Sequence, residues 1–334
     1  MSKEQTNFIK GIGILLIMIH NYVDILLDIN SNEMIYSQDF TDTFLSHVFT
    51  ADSIWYIFSF VGWIGVPLFF FTIGYGLTKK CNDNPINTRS YILNHIIKLW
   101  ILLVPIYLFY YCIYTTNIQS AITQITFTIN FFSSHIKGFV IDPGAYWFFG
   151  AILQFYLLFI FLRKLDSHWL WVLCVVFIAI HYYAFYGASN NISKWIRLNC
   201  LGWGVPFLLG IIAARSQIKL SESMNLLLCV ASFFALCACL VIKWLAPFSE
   251  VCMIVFIVTL SRMMTPQWIC FIGIISPSIF ALHPLIRMLF YSIYFEPKQV
   301  LILTIIYIIV VLTCSWIHHR LLKYTDRFKL TAKR

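Results

Sequence analysis

The chain has 334 residues, 60% of them hydrophobic and 11% charged, with a mean hydropathy of +0.81 and a net charge of +9. A water-soluble domain carries charge on roughly a quarter of its residues, so these values exclude one and describe a polytopic membrane protein. The basic residues fall in short segments between apolar runs, as the positive-inside rule requires, so topology explains the charge and no nucleic-acid partner is expected.

Apolar runs of bilayer length predict an all-α transmembrane bundle of about ten spans, at roughly 8–28, 53–78, 92–114, 145–163, 168–186, 198–214, 224–243, 249–262, 268–291 and 299–317. The first run is too long for a signal h-region and lacks a small-residue cleavage site, so it reads as a retained span. With both termini in the cytoplasm, 17 of the 23 basic residues lie inside and six lie outside, namely Lys137, Lys194, Arg197, Lys243, Arg287 and Lys298. One integral membrane domain, 1–334, accounts for the chain, with 318–334 as a short basic cytoplasmic tail attracted to anionic lipid headgroups.

In the first span, Lys10, His20, Asn21 and Asp24 interrupt an otherwise apolar stretch, and polar groups at such positions are expensive in hydrocarbon. At 100° per residue Lys10 and Asn21 fall within about 20° of each other, whereas His20 lies about 80° from Lys10. Asp24 stands one turn beyond His20, where a carboxylate and an imidazole pair. The bland alternative makes Lys10 an interface marker and His20 a partner for a carbonyl of a neighbouring helix.

The loop 29–52 is acidic, with Glu33, Asp39, Asp42 and Asp52, and is too polar to cross; it reads first as a solvated connector, with Glu33 as a candidate acceptor contact. The second span sets Gly65, Gly74 and Gly76 among aromatics, a pattern for close helix contact or close approach of a substrate. The segment 115–144 is apolar but rich in Thr and Asn, and suits an interfacial or re-entrant piece. Further polar groups inside the spans are His95, Lys98, Gln154, His181, Ser276, Ser278, His283 and Arg287. The ten cysteines form no CxxC pair and no Cys/His cluster at metal spacing, so neither a disulfide framework nor a metal site is expected. GxSxG, Walker, GxGxxG and HExxH signatures are missing.

Five stretches, KGIGILLIMIHN (10–21), LFFFTIGYG (68–76), NHIIKLWILLVP (94–105), DPGAYWFFGAILQFY (142–156) and GIISPSIFALHPLI (273–286), carry a resemblance in their order and spacing. Together they resemble the acyltransferase-3 family of bacterial integral membrane O-acyltransferases. The family's first motif separates its basic residue from its histidine by ten residues, which puts Asn21 at the histidine position and His20 one place early; a one-residue bulge would turn His20 toward the Lys10 face. Ile73 stands where the family commonly has Ser, and Phe280 where it has Tyr.

The resemblance implies transfer of an acyl group, most often acetyl, from acetyl-CoA to a hydroxyl of a cell-surface glycan or its lipid-linked precursor, in the bacterial cytoplasmic membrane. Such a step needs a base near pH 7, a role that falls to His20 with Asp24 or Asn21 orienting the ring. Lys10, Lys79, Lys80, His95 and Lys98 are candidates for the CoA phosphates. Glu33, Tyr146, Trp147, Gln154, Ser276, His283 and Arg287 are candidates for lining the acceptor path. Two rival functions use the same residues: a transporter or flippase with intramembrane His and Arg along its path, and a non-catalytic membrane partner that keeps the transferase fold.

Overall fold

A computed structural model describes residues 1–27, 36–81, 87–113, 118–132, 146–216, 218, 220–291 and 300–331. The described chain is helical, in the order α1 (Lys3–Leu27), α2 (Gln38–His47), α3 (Ser53–Val61), α4 (Gly65–Lys80), α5 (Thr88–Ile113), α6 (Ile118–Ile125), α7 (Ile129–Phe132) and α8 (Trp147–Leu162). It continues with α9 (Ser167–Tyr182), α10 (Asn190–Leu198), α11 (Gly204–Arg215), α12 (Glu222–Val241), α13 (Ser249–Met263), α14 (Gln267–Tyr291) and α15 (Val300–Thr331). Among the described residues, eight helical stretches are long and apolar enough to cross a membrane, and nine if α10 and α11, bent by 70° at their junction, count as one. The remaining expected span is represented by α8, an apolar helix of 16 residues. The basic tail does not leave the helix: α15 runs on to Thr331.

Glycine decides how closely the central helices approach. In α1 and α14 a Cβ on Gly273 would lie 1.8 Å from the Asn7 carbonyl oxygen and one on Gly11 would lie 2.2 Å from that of Ile269, so their backbones touch. These two helices run parallel at a constant register: Cys270 Sγ faces the Glu4 carbonyl and Arg287 bonds Asn21, both 266 residues apart. Gly13 faces Gly65 between α1 and α4, and Gly74 and Gly210 play the same part between α4 and α11. Of the glycines expected to serve close contact, Gly65 and Gly74 do so, whereas Gly76 meets nothing within 4 Å.

The core is aromatic. Phe70 packs on Phe148, Phe155 and Trp203, and Phe280 on Phe69, Phe148 and Phe149. This weld joins α4, α8, α14 and the turn before α11, and α1, whose Ile9, Ile14 and Met18 are wholly buried, packs on α14, α4, α3 and α13.

The bend between α10 and α11 breaks the helical hydrogen-bond ladder inside the apolar region, and side chains repair it. Asn199 Nδ2 donates to the Trp195 carbonyl at 2.7 Å and to that of Asn130 at 3.2 Å. Gln154 Nε2 donates to Asn199 Oδ1 at 2.6 Å while Gln154 Oε1 accepts the Cys200 amide at 2.8 Å. Asn130 Nδ2 donates to the Trp147 carbonyl at 2.7 Å and to that of Leu198. The segment expected to be interfacial or re-entrant thus supplies a residue to the protein interior, from α7.

Candidate functional site

Antiparallel packing of α1 on α3 and α4 gives the bundle two chemically different ends. At one end stand the amino terminus, Lys10 and Lys79–Lys80: the Met1 ammonium donates to Tyr75 Oη at 2.6 Å, and Lys79 Nζ sits 5.9 Å from the Tyr75 ring. His95 belongs to this end, with Lys80 and Lys98 as its charged neighbours. Its Nδ1 donates to the Tyr91 carbonyl at 2.8 Å, and its ring packs 4.1 Å from that of Tyr156. The five candidate CoA contacts therefore share one end of the molecule. Lys79, Lys80 and Lys98 are exposed and Lys10 is half-buried.

Ten residues along α1, about 15 Å of rise, the chain carries His20. Its ring is 3% exposed. Nδ1 lies 2.9 Å from the Ser59 carbonyl oxygen, and Nε2 lies 3.4 Å from Asp24 Oδ2. The Ser59 hydroxyl donates to the other carboxylate oxygen of Asp24. A carbonyl accepts only, so Nδ1 carries a proton and Nε2 is the basic nitrogen of the neutral ring. Once Nε2 gains a proton, both nitrogens face acceptors. The geometry thus complements the state reached after proton abstraction, which is what a general base requires of its surroundings.

Gly62 permits this arrangement. A Cβ there would lie 2.3 Å from His20 Cβ and 2.8 Å from the Leu16 carbonyl oxygen, so the turn Gly62–Ile64 can press α3 against α1 only without a side chain. Gly62→Ala is expected to push Ser59 off Nδ1 and lower turnover at least tenfold (about 1.4 kcal/mol) with the fold intact; kcat alongside circular dichroism checks it.

Asn21 does not meet the His20 ring. Its Nδ2 donates to the Ile17 carbonyl at 2.9 Å, and Arg287 Nη1 donates to both its Oδ1 and its backbone oxygen at 3.0 Å. The expected bulge is not present either: α1 is a continuous α-helix, and His20 reaches its partners because α3, not α14, lies on that side. One turn before Arg287, His283 is fully buried, with Nδ1 3.0 Å from the Ile279 carbonyl oxygen and Nε2 unpartnered among the described residues.

The other acceptor-path candidates are tied into the frame. Tyr146 is buried and donates to the Ala281 carbonyl at 2.7 Å, and Trp147 stacks on Trp203. Gln154 holds the α10–α11 bend, and the Ser276 hydroxyl donates to the Gly273 carbonyl, which Pro277 leaves without its helical amide. Glu33 lies outside the described residues.

Sequence reasoning counted Arg197 among the outer basic residues, just ahead of the span 198–214, and the structure places its side chain inside the protein. Arg197 is 0% exposed, with Nη1 2.8 Å from Glu250 Oε1 and 3.1 Å from the Gly202 carbonyl oxygen, and it also donates to His181 Nε2. Its guanidinium sits 3.9 Å from the Trp203 ring and 5.5 Å from that of Trp63, the neighbour of Gly62. Ser59, Gly62 and Glu250 were missed altogether. An acidic residue opening an apolar run was the one signal that Glu250 offered.

Comparison with protein families decides what this frame belongs to, because the model described as an acyltransferase domain, acyltransferase-3, matches residues 4–320. The chain belongs to the acyltransferase-3 family. No curated protein and no solved structure matches it. As a membrane acyltransferase of this family, it pairs the histidine of its first span with a carboxylate at 3.4 Å.

Proposed function

We infer that the protein transfers an acetyl group from acetyl-CoA to a hydroxyl of a cell-surface glycan or its lipid-linked precursor, in the bacterial cytoplasmic membrane with both termini inside. The observation that carries this reading is the His20 dyad, a buried imidazole held by the Ser59 carbonyl with a carboxylate 3.4 Å from its basic nitrogen. His20 takes the proton of the acceptor hydroxyl as the oxygen attacks the thioester carbon, and Asp24 stabilises the imidazolium. The proton then leaves with the CoA thiolate. The cations around Lys10, Lys79, Lys80 and Lys98 suit the CoA phosphates, and the pantetheine arm bridges the rise along α1 to His20.

The test is transfer of radiolabel from acetyl-CoA to extracted surface glycans by protein in nanodiscs, wild type against Asp24→Asn. The variant is expected to keep its KM for acetyl-CoA and lose about 10²-fold or more in kcat. Wild type that neither binds acetyl-CoA nor labels any glycan overturns the reading in favour of transport or a scaffolding role.

A further inference from the structure

Two thiols face each other across the α12–α13 hairpin. Cys239 Sγ lies 3.8 Å from Cys252 Sγ, and each cysteine stands four residues from the turn Lys243–Phe248 that joins the helices. A separation of thirteen residues matches no cysteine motif, so the meeting comes from the packing of α12 on α13. The nearest other thiol on α12 points elsewhere: Cys237 is exposed, about 200° around the helix from Cys239. Sulfurs in van der Waals contact are about 2 Å short of bonding distance, a gap on the scale of a side-chain rotation.

The two differ in access, since Cys239 is 5% exposed and Cys252 is half-buried. Cys239 shares a small cavity with Phe60, Trp63 and Ser249, so the pair stands at the His20 end of the bundle. Glu250, whose carboxylate holds Arg197, precedes Cys252 by two residues on α13. With both termini inside, as inferred from the charge distribution, this end faces the oxidising side of the membrane, where disulfides persist. The pairing itself does not depend on that orientation.

We propose that Cys239 and Cys252 are a redox-active dithiol that closes to a disulfide by exchange with a disulfide-bearing oxidant, and so locks the α12–α13 hairpin beside Glu250. Cys252, the reachable thiol, attacks one sulfur of the oxidant as its thiolate, forming a mixed disulfide and releasing one oxidant thiol. Cys239, 3.8 Å away, then attacks Cys252 Sγ and releases the second oxidant thiol. The protein gives up two electrons and two protons, which leave on the two thiols of the oxidant. The new bond closes a short loop and constrains the unfolded chain, so the oxidised protein is the more stable form.

The test treats the full-length protein in nanodiscs with dipyridyl disulfide, blocks remaining thiols with iodoacetamide and digests with trypsin without reduction. Cleavage after Lys219, Lys243 and Arg262 puts Cys239 in peptide 220–243 and Cys252 in peptide 244–262. Mass spectrometry is expected to find these two peptides as one cross-linked species that separates on reduction. The cross-link should vanish in Cys239→Ser and in Cys252→Ser and persist in Cys237→Ser. Oxidation should also raise the unfolding temperature of the wild type by a few degrees and leave that of Cys252→Ser where it was. Recovery of Cys239 and Cys252 in separate peptides, whether alkylated or each carrying a pyridylthio group, overturns the proposal. So does a cross-link that survives Cys239→Ser, which would move the pairing to Cys237 or Cys229.

Discussion

His20→Ala is expected to lower acyl transfer by about 10²–10⁴-fold, the range over which a positioned general base acts, while Asn21→Ala keeps most of the wild-type rate. The contrast follows from the two sides of α1. His20 is anchored through Ser59 and Asp24 on α3 and on its own helix, whereas Asn21 spends both its oxygens on Arg287 of α14. Removing the imidazole deletes the proton acceptor. Removing the Asn21 amide loosens the hold on one guanidinium, which keeps the Asn21 backbone carbonyl. Single-turnover label transfer in nanodiscs, with acetyl-CoA affinity measured separately, distinguishes lost chemistry from lost binding. The reverse outcome, an active His20→Ala and a dead Asn21→Ala, moves the base to the face shared by Asn21, His283 and Arg287.

Glu250→Ala is expected to destabilise the protein by about 3–5 kcal/mol, because it removes a carboxylate that sits 2.8 Å from a wholly enclosed guanidinium. Arg197 is wholly enclosed, and among the described residues Glu250 sets a carboxylate against it at 2.8 Å. Glu250→Gln keeps a hydrogen-bond acceptor without the charge and should fall between Ala and wild type. Arg197→Met combined with Glu250→Leu should recover much of the loss, since apolar pairs of similar volume often replace buried ion pairs without penalty. Thermal unfolding in detergent at fixed pH and salt reads all three. If Glu250→Ala unfolds at the wild-type temperature, the guanidinium is neutralised by other means and the pair is not what seats Trp63 and Trp203 around it. Because Trp63 adjoins Gly62, a destabilised Glu250 variant that still folds should also show a slower His20-dependent step.

The i,i+4 pair of His20 and Asp24 was legible in the sequence because both ends of it lie on one helix, and helix geometry needs no partner to be known. The bias of Lys10, Lys79 and Lys80 to one end was legible too, whereas His283 and Arg287, one turn apart, take different partners, the Ile279 carbonyl and Asn21. Glycines 65 and 74 were read correctly as contact points, though not against which carbonyls. Helix facing was the weak step: a bulge in α1 was invoked to turn His20 toward Lys10, when the neighbouring helix lay on the other side. Gln154 and Ser276, expected along an acceptor path, serve the backbone at a bend and at a proline.

Local sequence therefore determined that this is a helical membrane bundle, where its spans run, and which polar side chains stand inside them. Those properties depend on length, hydrophobicity and the 100° step of the helix, all carried by consecutive residues. Tertiary structure alone decided that Ser59 and Gly62 complete the His20 site and that Arg197 is buried against Glu250 and His181. Each of these joins residues far apart in the chain through helix-to-helix contacts. In a bilayer, where water gives no preference to one apolar face over another, such contacts are set by packing and by the need to partner buried polar groups.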